Sequence, residues 1–234
     1  MTINDIILQY KSSCPGMCNE MNAILSDYQK ALTIPLGNRV LHIKRVLEEC
    51  VRGLYTNGHQ WCVKKSAVID AVNNLVTGQF VNKDGIQSSL FDSSFSLNQQ
   101  FNEFEELYDA IKQLIGSING IGLVTLYDTA KHIGLLYKDP ILPQTNVYLH
   151  PSTNKVNKAA RALLSRRVGY REPTACFSSF FPSISSHEIE DILCHFSDVL
   201  QNYDPLTGQM PDNNSRTLSK STSKTGSRWK TLFP

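Results

Sequence analysis

The chain has 234 residues, 41% hydrophobic and 19% charged, with a formal net charge of +2. That length fits one domain, or one domain and a tail, with enough apolar material for a real core. The composition is that of an ordinary globular protein, and no apolar run approaches the roughly 18 residues that a membrane span needs, which excludes a membrane-embedded chain.

Charge is unevenly distributed. Between positions 140 and 171 there are six Lys/Arg and no Asp/Glu, and between 205 and 234 five Lys/Arg and one Asp. The rest of the chain is acidic, so two basic segments sit on an acidic body, a footprint expected of a polyanion-binding face. Near the N-terminus Asp5 precedes any long apolar stretch, which reads as no signal peptide. Cys14, Cys18, Cys50, Cys62, Cys176 and Cys194 then read as reduced thiols and the compartment as the cytoplasm.

In chain order, apolar spacing predicts a helix over 16–32 and another from Asn38 to Leu54. A third covers 64–77 and stops at Gly78. Residues 81–96 read as an irregular connection. Ser96 and Gln99 fit a capping box opening an amphipathic helix that runs from Leu97 to Ile118 and stops at Asn119-Gly120. A helix from about Leu123 to Tyr137 follows, then a loop with Pro140 and Pro143 and a helix over 153–166. Asn146–Leu149 could be extended, but isolated. Ser185 and Glu188 form a second capping box, which opens a helix to Leu200. The fold class is therefore all-α, a compact multi-helix domain. Residues 1–80 supply N-terminal helices, 97–203 the main helical region, and 205–234 a disordered basic tail.

The most informative segment is Ile118-Asn119-Gly120-Ile121-Gly122 between two helices. Two glycines permit a tight turn and bare successive N–H groups at the start of the second helix, where the helix dipole favours an anion. Ile121 points inward, and Thr125 and Ala130 keep the second helix slim. A DNA phosphate is the natural anion, which makes Gly120, Ile121, Gly122 and Thr125 candidate DNA-binding residues. On the helix over 153–166, Lys155, Lys158 and Arg161 fall at i, i+3, i+6 and supply further phosphate contacts. A plain helical corner and a solvated basic helix are the bland readings of the same residues.

The order helix, Ile-x-Gly-Ile-Gly, helix, Pro-containing loop, Val147-Tyr148-Leu149-His150, basic helix resembles the helix-hairpin-helix DNA glycosylase superfamily over about residues 97–201. The chain is also similar to uncharacterised bacterial proteins carrying Tyr-Asp-Thr-Ala and Val-Tyr-Leu-His motifs, here Tyr127–Ala130 and Val147–His150. The resemblance implies a glycosylase-like helical fold that binds DNA. It also implies which chemistry is missing. Tyr148 stands where the superfamily places its catalytic Asp, and a neutral phenol does not activate water as a carboxylate does. Val124 stands where lyase members place a Schiff-base Lys. No cysteine follows Cys194, so no cluster of four cysteines is available near the C-terminus. The expectation is DNA binding without glycosylase chemistry and without a cofactor.

Asp128, Tyr148 and His150 are the candidates for catalysis if the cleft instead serves an enzyme acting on a nucleotide or modified base. An all-α protein-interaction module is the third reading. Cys14 and Cys18 have a CxxxC spacing, but Cys50, Cys62 and His59 supply no patterned second pair, so no metal is expected. Oligomeric state is not readable from the sequence.

Overall fold

The computed structural model describes residues 1–13, 15–52, 63–150 and 155–210, with the backbone alone for 13 and 15–21. Its elements are α1 (Ile3–Ser13), α2 (Pro15–Thr33), α3 (Leu36–Arg52), α4 (Lys65–Thr77), β1 (Phe80–Val81), β2 (Gln87–Ser88), α5 (Phe104–Ile115) and α6 (Leu123–Gly134). Then come β3 (Asn146–Tyr148), α7 (Lys155–Leu164), β4 (Arg171–Pro173), a 3-10 turn at Thr174–Phe177, α8 (Ser186–His195) and α9 (Ser197–Leu200). The described chain is mostly helical. No helix among the described residues is long and apolar enough to cross a membrane.

Contacts divide the chain into two units. Over the described residues one, the middle unit, covers Gly16–Leu142, and the other, the N/C unit, joins Met1–Pro15 to the described chain from Pro143 to Met210. The boundary at Pro143 falls inside the span 97–203 that the sequence groups together.

In the middle unit α6 packs on α3 and α5, and α4 packs on the same two helices. The reason is periodicity: α3 buries Ile43, Val46, Leu47, Cys50 and Val51, and α5 buries Phe104, Leu107, Ile111, Leu114 and Ile115. Each such side chain stabilises by roughly 1.5–3 kcal/mol when fully buried. Phe104 meets Tyr127 of α6 edge-on at 5.8 Å. Gly134 ends α6 close against the following loop: a Cβ there would overlap the Ile141 carbonyl oxygen, while the Ile141 amide donates to the Gly134 carbonyl. His132 Nδ1 lies 2.9 Å from the Cys50 carbonyl, and burial pushes the Cys50 thiol pKa up, so it stays protonated.

α5 begins at Phe104, not near Leu97. Asp92 Oδ1 accepts from the Ser94 and Ser96 amides, folding 92–96 into a turn with a bridge between Phe91 and Leu97, and the Leu97 amide donates to the Tyr28 hydroxyl. Ser96 is thereby committed to a turn and Gln99 to the Leu97 carbonyl. The stretch 81–96 also holds regular structure, since β1 pairs antiparallel with β2. α5 stops at Ile115, and residues 116–122 make the turn.

In the N/C unit β3 pairs antiparallel with β4 in the register Asn146 to Pro173, Val147 to Glu172 and Tyr148 to Arg171. The extended run read as isolated thus has a partner strand later in the chain, β4. α8 packs on β3, α7 on α8 and α9, and α1 on α8. The capping box of Ser185 and Glu188 is formed, but the helix it opens breaks at Phe196 into α8 and α9. Residues 204–209 close a turn through a bridge between Asp204 and Gln209, and Met210 is buried, so the start of the span read as a disordered tail is ordered. The rest of that span, 211–234, lies outside the described residues.

Candidate nucleic-acid interface

The corner between α5 and α6 has the backbone that its glycines suggest. Gly120 has a φ of +101°, a conformation L side chains rarely adopt. Ile121 is buried, and its amide donates to the Ile118 carbonyl at 3.0 Å, so this N–H is already satisfied within the turn. Gly122 caps α6 without a side-chain acceptor, is exposed, and has open space where a Cβ would stand. Among the described residues the Gly120 and Gly122 amides form no hydrogen bond. The corner therefore offers two amides rather than three. Thr125 is only 4% exposed, so its side chain faces the interior and supplies no surface contact. Asp128 is half-buried, one turn further along α6.

α7 carries the second group. Val156, Asn157, Ala159, Ala160 and Leu163 are buried, and Lys155, Lys158 and Arg161 are exposed on the other side. Three-dimensional contacts neutralise part of the basic stretch. Lys155 Nζ is 3.4 Å from Asp198, and Arg166 is 2.7 Å from Glu172. The Arg166 guanidinium holds the Glu172 carboxyl below its ordinary range. Lys158, Arg161 and Arg167 are exposed and, among the described residues, have no ion-pair partner. They are the surplus positive charge of this unit's helical face.

Tyr148 and His150 stand inside the N/C unit rather than on its surface, 0% and 2% exposed. Tyr148 meets Tyr170 edge-on at 5.7 Å. His150 has a φ of +60°, and its Nε2 lies 3.1 Å from Glu190 Oε1, itself buried. The Asn157 amide straps the site by donating to the carbonyls of His150 and Gly169. Neither Tyr148 nor His150 offers an exposed ring on which a base could stack. No spacing rule pairs Glu190 with a histidine 40 residues earlier, so this contact leaves no signal in the sequence.

The residues expected to act together divide between the units. Gly120, Ile121, Gly122, Thr125 and Asp128 belong to the middle unit; Tyr148, His150, Lys155, Lys158 and Arg161 belong to the N/C unit. No group of three or more metal-ligating side chains occurs among the described residues. Cys14 and Cys62 lie outside the described residues, as does the side chain of Cys18. Compared with known proteins, the chain matches no family model, no curated protein and no solved structure.

Proposed function

We propose that this protein binds the phosphate backbone of DNA and performs no glycosylase step. The observation that carries the reading is the outward row on α7, where Lys158 and Arg161, continued by Arg167, have no carboxylate partner among the described residues. Cations left without acidic neighbours release counterions from a polyanion and gain affinity that salt removes. The Gly120–Gly122 corner, read as a helix-hairpin-helix, contributes backbone amides to a phosphate from the middle unit. Contacts of these two kinds are sequence-neutral, because neither reads a base edge.

The test is duplex-DNA affinity of the full chain from low to high salt. Lys158→Ala with Arg161→Ala lowers the slope of log affinity against log salt by about 2, in line with two lost phosphate contacts. Gly120→Val, which strains the φ of +101°, weakens binding without changing that slope. Absence of duplex binding at low salt refutes the reading.

A second reading, an enzyme acting on a nucleotide or modified base, draws support from His150 alone. It is a buried non-glycine residue in left-handed backbone, held against Glu190, and strain of that kind clusters at working sites. Product formed from modified duplexes or free nucleotides, and lost in His150→Ala, is the result that favours it.

A further inference from the structure

Asn119 and Gly120 stand together in the turn between α5 and α6, and both are exposed. The Ile121 amide closes that turn by donating to the Ile118 carbonyl at 3.0 Å, which leaves the two residues in its middle outside either helix. Among the described residues the Asn119 side chain forms no hydrogen bond, and neither does the Gly120 amide that follows it. Gly120 has no side chain to screen its nitrogen, and among the described residues only Ala67 Cβ, at 3.6 Å, comes near the place where a Cβ would stand. Other asparagines are placed differently. Asn82 Oδ1 accepts from the Asp84 and Ile86 amides, and Asn146 Nδ2 donates to Thr145 Oγ1. Each precedes a residue that carries a side chain, Lys83 and Val147. A second Asn-Gly pair, Asn57-Gly58, lies outside the described residues.

We propose that Asn119 is a site of spontaneous deamidation, in which the Gly120 nitrogen attacks the Asn119 side-chain amide. Hydroxide takes the Gly120 N–H proton, and an amide with no acceptor has no protein hydrogen bond to break first. The nitrogen forms a bond to Asn119 Cγ, the Cγ–Nδ2 bond breaks, and ammonia leaves with a proton from water, giving a cyclic imide. Water then opens the ring. Addition at Cγ gives aspartate, and addition at the main-chain carbonyl gives isoaspartate, with the chain running through the side chain. Water enters, ammonia leaves, and nothing is oxidised or reduced. Both products put a carboxylate just before α6, where the positive end of the helix favours it, so the fold tolerates the change. One consequence rests on the DNA reading: the same charge repels a phosphate at the Gly120 and Gly122 amides, so conversion is a timed loss of that contact.

The experiment ages the full, folded chain in water enriched in oxygen-18 at several pH values. Tryptic mapping then follows the peptide from Gln113 to Lys131 against a sample taken at the start. The Asn119 form is lost in proportion to hydroxide, the acid that replaces it carries one solvent oxygen, and fragmentation places aspartate and isoaspartate at 119. Asn82 and Asn146 stay intact over the same period. Asn119→Gln, whose longer side chain would have to close a larger ring, forms no acid at 119. Gly120→Ala slows conversion by placing a Cβ beside the nitrogen; its φ of +101° strains that variant, so Asn119→Gln, which leaves the backbone alone, keeps the proposal testable should it fail to fold. Asn119 intact at every pH while a free peptide of the same sequence converts, conversion no faster than at Asn82 and Asn146, or acid lacking the solvent oxygen overturns the proposal. Duplex affinity is read on the same samples. It falls with ageing in the parent and holds in Asn119→Gln; an equal fall in both overturns the consequence for DNA. Absence of duplex binding at the start refutes the DNA reading, while the mass measurement decides the chemistry at Asn119 by itself.

Discussion

Phe104 of the middle unit and His150 of the N/C unit are equally buried, each 2% exposed, yet they are held by different means. Phe104 sits among Tyr108, Tyr127 and the apolar faces of α5 and α6, where attraction is non-directional and grows with area. His150 sits against Glu190, with Asn157 on its carbonyl and Tyr170 beside its ring, so its burial depends on polar partners at set distances. On the same helix as Glu190, buried Asp191 accepts from the Tyr10 hydroxyl of α1. Shape decides tolerance in the first setting and partner identity decides it in the second.

The largest effect separating the two is expected at Phe104. Phe104→Ala lowers unfolding stability by about 4 kcal/mol, while Phe104→Leu, which keeps most of the volume, costs about 1.5 kcal/mol. Urea midpoints at constant slope report both. Glu190→Ala comes next at about 3 kcal/mol, because it strands the buried His150 nitrogen, and Glu190→Gln recovers at least half through its amide oxygen. A Glu190→Leu protein as stable as the parent would erase the contrast between the units. Gly134→Ala follows at about 2 kcal/mol, since its Cβ meets the Ile141 carbonyl, a backbone atom that cannot rotate away.

A smaller effect concerns pH and lies in the middle unit. Burial, reinforced by the Glu48 charge, raises the Glu49 carboxyl from 4.5 to about 7. Between those values the folded protein holds a proton that the unfolded chain has released. The associated stability is complete below 4.5 and is lost as pH rises to about 7. Solvent screening at this half-buried site limits the change to about 1 kcal/mol. Glu49→Gln flattens that slope, and an unchanged slope would move its origin elsewhere. Least of all, Lys155→Ala breaks an exposed pair with Asp198 and shifts stability by about 0.5 kcal/mol or less, read from thermal midpoints.

What was legible followed physical range. Helices α3, α4 and α6 were readable because their apolar residues repeat at helical spacing, and the cap at Ser185 because its partner is three residues away. At the start of α1, Thr2 and Asp5 form the same reciprocal cap, again from residues three apart. The outward placement of Lys155, Lys158 and Arg161 was legible on one helix, but the loss of Lys155 to Asp198 was not. Tyr148 and His150, named as candidates for catalysis in a cleft, are instead core residues, because the pairing of β3 with β4 puts them inside.

The sequence by itself determined the helical class, the outward row of α7 and the glycine corner before α6. Each depends on residues within one or two turns of one another, where spacing alone decides which side chains share a face. Tertiary packing settled the boundary at Pro143 and the meeting of His150 with Glu190. Those depend on chain segments tens of residues apart, whose approach is selected by packing of the whole core and leaves no periodic trace in the order of the residues.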